Sequence, residues 1–108
     1  MPKLAIWAQL TAKPGKEAEV EAFLKSAQPL AEKESQTITW YAVKMAPGSY
    51  GIFDTFADEA GRQAHLTGDI AKALFARAEE LFSKAPEVHQ INLLAAKVPG
   101  AKATPASA

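Results

Sequence analysis

Few side chains in this 108-residue sequence can move a proton or hold a ligand. There are two histidines, His65 and His89, and no cysteine. Without cysteine there are no disulfides, thiolate metal sites, iron–sulfur clusters or Cys nucleophiles. Two histidines without HExxH spacing make a weak case for a metal site, and none is expected. Gly48-Ser49-Tyr50-Gly51 fits neither GxxxxGK[ST] nor GxGxxG, so no phosphate cradle is expected. No GxSxG elbow is present. His65 is the strongest candidate left. A neutral imidazole, with an ordinary pKa of about 6.5, takes a proton near neutrality. Asp54 or a backbone carbonyl could fix its tautomer. The competing reading is that His65 caps or edges a short helix. His89 reads as a surface or interface residue of a strand. Trp40, Tyr41, Phe53 and Phe56 could line an aromatic-tolerant pocket, or equally fill a core. Trp7 and Tyr50 complete the candidates. Arg62, Lys72 and Arg77 read as solvated helix faces, with Arg77 also weighed as a partner for an anionic ligand.

The elements that must hold these residues follow from periodicity. Leu4, Ile6, Ala8 and Leu10 alternate with Lys3, Trp7, Gln9 and Thr11, which predicts a strand. Ala5 and Trp7 make its second face apolar too, so burial on both sides is expected. Pro14-Gly15 is turn chemistry. Val20, Phe23, Leu24, Ala27, Leu30 and Ala31 share one face of a helix over 16–34, in which Pro29 is expected to kink or split the run. Residues 36–45 predict a second strand and 50–56 a third, joined by a Pro47-Gly48 turn as a hairpin. Asp58 is a plausible N-cap for a short helix ending near Leu66. A longer helix is expected over 69–84, ended by Pro86, then a last strand over 87–95. The order β-α-β-β-α-β is the ferredoxin-like α+β pattern, over one domain of residues 1–96. Residues 97–108, rich in Ala, Pro, Ser, Gly and Lys, read as a flexible tail.

Composition narrows the partners. Twelve basic and twelve acidic residues give a formal net charge of zero. A nucleic-acid binder normally carries a basic face, and no such excess exists. Nothing draws the chain to an anionic membrane, and no apolar run reaches the about 18 residues of a membrane helix. The opening Met1-Pro2-Lys3-Leu4 lacks a leader's long apolar stretch, so the cytoplasm is the expected location. Helices in this pattern cover one face of the sheet. The other face keeps apolar residues, which marks an interaction surface. The economical expectation is a homodimer with two open sheet faces pressed together.

Phe53-Asp54-Thr55-Phe56-Ala57-Asp58-Glu59-Ala60, followed by His65-Leu66, resembles the antibiotic biosynthesis monooxygenase domain. That family often shows an aromatic-acid-x-Trp pattern, an acidic pair, and a His nine positions after the Trp. Phe56 stands here at the Trp position and Asp54 at a Glu position. Leu10-Thr11-Ala12-Lys13-Pro14-Gly15-Lys16-Glu17 is similar to the family's first strand and turn, and Trp40 to its second-strand aromatic. The resemblance covers residues 3–95. It implies a dimeric α+β barrel with a pocket between sheet and helices. Its quinol-monooxygenase-like branch implies oxygenation of an aromatic or quinol-like molecule without metal, flavin or haem. His65 would be the base, with Asp54 beside it, and Trp40, Phe56, Phe53 and Trp7 would contact the substrate. The Asn, Trp and His set of the haem-degrading branch is not evident. The rival readings are a non-catalytic small-molecule-binding or stress-associated dimer, and an isomerase using His65 for proton transfer.

Overall fold

The computed structural model describes residues 2–99. It has eight elements, in the order β1 (Leu4–Thr11), α1 (Glu17–Glu32), β2 (Thr37–Ala46), β3 (Ser49–Phe56), α2 (Glu59–Leu66), α3 (Asp69–Ala76), α4 (Ala78–Leu81) and β4 (Glu87–Asn92). The four strands form one antiparallel sheet in the order β2-β3-β1-β4. This is the ferredoxin-like α+β arrangement, with helices on one face. Among the described residues, no helix is long and apolar enough to cross a membrane.

The register decides which residues meet the helices. Leu10 pairs with Tyr50, Ala8 with Ile52, Ile6 with Asp54 and Leu4 with Phe56 across β1 and β3. The period of two puts all of these on the helix side. Trp40 lies opposite Asp54 on β2 and extends the same layer. Helix α1 presents Val20, Phe23, Leu24 and Ala27 to this layer at helical spacing. With Ala8, Leu10, Tyr50, Ile52, Leu74, Leu81 and Phe82 they make the main core.

Several expectations change. Helix α1 runs through Pro29 without splitting. Pro29 is exposed, so its ring projects to solvent, and the carbonyl that its missing N–H leaves without a helical partner belongs to Lys25, also on the exposed side. The helix expected over 69–84 is two pieces, interrupted at Arg77, and it stops at Leu81 rather than at Pro86. Phe82 turns to extended dihedrals and bridges Ala12, which buries its ring to 3% exposure. Core burial of an aromatic outweighs another half-turn of helix. Strand β4 ends at Asn92, although Leu93 N–H still donates to the Lys3 carbonyl. Strand β1 is buried on its helix face, while Trp7 and Gln9 on the other face are half-exposed. Residues 97–99 have no regular structure, and the rest of the expected tail lies outside the described residues.

Arg62 is not a solvated residue. It is 8% exposed, and its guanidinium donates to the Ile91 carbonyl at 3.2 Å while its other arm holds Glu59 at 2.6 Å. It pins α2 to the β1–β4 pair.

Candidate active site

Asp54 is the only carboxylate on the helix face of β3, and it is fully buried. The chain leaves β3 at Phe56 and turns directly into α2. Asp58 starts that helix, accepting the Gly61 N–H at 2.9 Å. The cap fixes the phase of α2, which buries Gly61, Arg62 and His65 against the sheet. His65 thereby arrives over Asp54 instead of capping its own helix.

Both ring nitrogens of His65 meet carboxylates. Nε2 is 2.8 Å from Asp54 Oδ2, and Nδ1 is 2.7 Å from Glu34 Oε1. The Asp54 approach is close but lies off the line of a well-directed hydrogen bond, so it acts first as a charge contact. Glu34 Oε1 also accepts the Thr37 hydroxyl at 2.7 Å, which steadies the outer carboxylate. The Phe56 ring packs 5.4 Å from the imidazole and seals the cluster.

Electrostatics follow from this placement. Burial pushes the imidazolium towards losing its proton, but Asp54 and then Glu34 outweigh it, and His65 is held up at about 9. The ring therefore carries a proton at neutral pH. Asp54 is pushed up, chiefly by burial, with His65 pulling the other way and Glu34 adding to the rise. The carboxylates sit on opposite edges of one ring and cannot converge on an ion. Among the described residues no cluster of His, Asp and Glu fits a metal.

Hollows run past this cluster. One of about 320 Å³ is lined by Leu30, Glu34, Gln36, Thr37, Ala64 and His65, among others. A second, of about 270 Å³, shares Glu34 and Thr37 and reaches Trp40. A third, of about 410 Å³, shares Gln28 and Trp40 and ends against Tyr50 and Glu21. They follow the seam between α1 and the edge strand β2. Their size suits a small organic ligand. Tyr50 donates its hydroxyl to Glu21 at 2.6 Å and is pushed up to about 12 by burial and that carboxylate.

The structure brings together His65, Asp54, Phe56 and Trp40. It does not bring Trp7 and Phe53 to them. These two are a register pair on the open face of the sheet, with the sheet itself between them and His65. They are corrected from pocket residues to open-face residues. The Trp7 indole lies across Gly51, where any Cβ would overlap the ring. His89 is exposed on the same open face, opposite Trp7. Arg77 pairs with Glu80 at 3.1 Å and stands over the Phe23 ring, away from the cluster. Sequence reasoning missed Glu34 and Thr37. Both lie at the α1–β2 corner, and no local spacing ties them to His65.

Comparison with known proteins sharpens this. No family model and no curated protein matches the chain. The structure of the NE2512 protein of unknown function from Nitrosomonas europaea is 56% identical, with TM-score 0.90, covering 92% of this chain and 96% of that one. Rv0793 from Mycobacterium tuberculosis has the same fold at 15% identity, TM-score 0.79, covering 89% and 99% of the two chains. A structure reported as an antibiotic biosynthesis monooxygenase matches at 16% identity, TM-score 0.73, covering 84% and 98%. This chain therefore belongs to one family with the Nitrosomonas europaea NE2512 protein, and its fold is that of the antibiotic biosynthesis monooxygenases.

Proposed function

We propose that this protein is a cofactor-independent monooxygenase of an aromatic, quinol-like small molecule, with His65 and Asp54 at its centre. The observation that carries the reading is the Glu34–His65–Asp54 chain, half-buried at Glu34 and buried at His65 and Asp54, beside the seam of hollows. Such a chain has the parts that proton removal in a dry site needs. Trp40 and Phe56 supply aromatic walls. The name of the fold neighbour agrees with oxygenation.

A hydroquinone in the hollow beside His65 gives its hydroxyl proton to the Glu34–His65–Asp54 chain at the Glu34 carboxylate, which lines that hollow, while Asp54 holds the ring from behind. A free imidazole was the expected base. With the ring held charged up to about 9, the carboxylate is the acceptor at neutral pH and His65 is the fixed positive charge that stabilises anions. The hydroquinone anion is electron-rich and reduces dioxygen by one electron. The semiquinone and superoxide then join through a new C–O bond. Loss of water leaves a hydroxyquinone. Hydroquinone plus dioxygen thus gives hydroxyquinone plus water, one oxygen atom going to each product.

The reading includes a homodimer. Tyr41 and Val43, 55% and 37% exposed, join Trp7, Phe53 and Ile91 on the open sheet face. A second copy covering that face removes this apolar surface from water. Sedimentation equilibrium checks it, and a stable lone protomer refutes it.

Oxygen uptake with a panel of hydroquinones tests the activity. Uptake above the uncatalysed rate, with one hydroxyquinone per dioxygen consumed, supports the proposal. Binding without uptake would leave a small-molecule-binding protein. Conversion without oxygen would indicate an isomerase.

A further inference from the structure

Two glycines close the arm that carries His65 onto its neighbours. Gly61 stands four residues before His65, on the same face of α2, and Gly68 is the N-cap of α3. Neither uses glycine's conformational freedom. Among the described residues a left-handed φ occurs only at Gly15 and Gly48, and Gly68 has φ −86° and ψ −175°. Local physics disfavours glycine at both places. It is the poorest helix former after proline, and a Ser or Asp at 68 could cap α3, which has no side-chain cap. What both positions need is space. A Cβ at 61 would lie 3.2 Å from the Gln36 carbonyl oxygen and 3.3 Å from the Gln36 Cβ. A Cβ at 68 would lie 3.4 Å from Glu34 Oε2, while the Ala64 carbonyl oxygen of α2 crowds it at 3.1 Å.

Glu34 and Gln36 belong to one turn. The Thr37 N–H donates to the Glu34 carbonyl at 3.2 Å, and the Thr37 hydroxyl donates to Glu34 Oε1 at 2.7 Å. The glycines therefore touch the α1–β2 corner at two points. His65, between them in the chain, brings its Nδ1 to 2.7 Å from Glu34 Oε1. We propose that Gly61 and Gly68 are positioning residues: their missing side chains set how closely α2 approaches the α1–β2 corner, and so hold Glu34 against His65. Packed main chain yields as a body, so a methyl at either place parts the imidazole from Glu34. Asp54 meets the opposite ring nitrogen from the sheet and keeps its contact. The catalytic meaning of the two glycines rests on the function proposed above, in which Glu34 takes the substrate's proton. The contact they set is read without substrate.

The test is the NMR titration of His65, with His89, exposed on the open face, as the internal reference. Gly61→Ala/Gly68→Ala is expected to lower the His65 midpoint by at least about 0.5 pH unit, about threefold in proton affinity, towards that of Glu34→Gln. In a Glu34→Gln background the same two changes should add less than about 0.2 unit, because the contact they disturb is already gone. Val20→Ala opens the core at the other end of α1 from Glu34, and should cost stability without moving the midpoint. The two alanine changes are also read singly, so misfolding of the pair does not remove the test. An unmoved midpoint in the folded variants overturns the proposal. So does an equal fall with and without Glu34, which would leave the glycines as packing residues only. Oxygen chemistry does not enter these readouts. A titration coupled through Glu34, without oxygen uptake from hydroquinones, would sink the monooxygenase reading alone. Uptake with an uncoupled titration would sink the role of the glycines alone.

Discussion

Raising the pH from 6.5 to 9.5 should destabilise this protein through one residue. His65 has an ordinary value of 6.5 in the unfolded chain and is held at about 9 when folded. The folded state therefore binds the proton more tightly. Its contribution to stability is complete below pH 6.5 and is lost as pH rises through about 9. At about 1.4 kcal/mol for each pH unit between those values, the loss is at most roughly 3 kcal/mol. His65 is 8% exposed, so solvent screening takes little from this figure. For a domain of this size that corresponds to a midpoint lower by about 10–20 °C. The assay is urea unfolding at fixed protomer concentration, from pH 6 to 10, on the wild type and on His65→Asn. The wild type should lose stability across the upper half of that range. The variant should be less stable at pH 6 and nearly flat above it. A flat wild-type profile, or an equal loss in both proteins, would mean that the two carboxylates do not hold the ring charged.

Other outcomes follow from single contacts. Asp54→Asn removes the charge that most raises His65, so the His65 titration should move down towards 6.5 by NMR, and oxygen uptake with a responsive hydroquinone should fall about 100-fold or more. Tyr50→Phe deletes the 2.6 Å bond to Glu21 and should cost about 1–2 kcal/mol in urea unfolding. Asp58→Ala leaves the Gly61 N–H without its cap and should cost about 1 kcal/mol, with α2 exchanging its amides faster.

The sequence carried the frame of this molecule in its periodicities. The alternation in β1 and β3 placed Asp54 and Phe56 together on one face, and the structure keeps them there. The spacing of Val20, Phe23, Leu24 and Ala27 gave the buried face of α1. Asp58 was legible because capping is local chemistry. Side choice was harder. Trp7 and Phe53 are apolar on a sheet with apolar residues on both faces, so alternation alone does not say which face meets the helices. Arg62 looked solvated because charge favours water, yet two sheet carbonyls and Glu59 lie within its reach. The break at Arg77 was invisible because the apolar spacing continues through it. Phe82 leaves the helix for a tertiary reason, its place in the core. Glu34 could not be tied to His65, because that contact exists only once α1, β2 and α2 have packed.

The proposed activity requires that the Glu34–His65–Asp54 chain remove a proton from a bound aromatic hydroxyl. Its most direct test is the absorbance of 1,4-dihydroxynaphthalene bound to the protein under nitrogen at pH 7. The wild type should give the red-shifted spectrum of the anion, and Asp54→Asn that of the neutral molecule. A neutral bound spectrum on the wild type would contradict it.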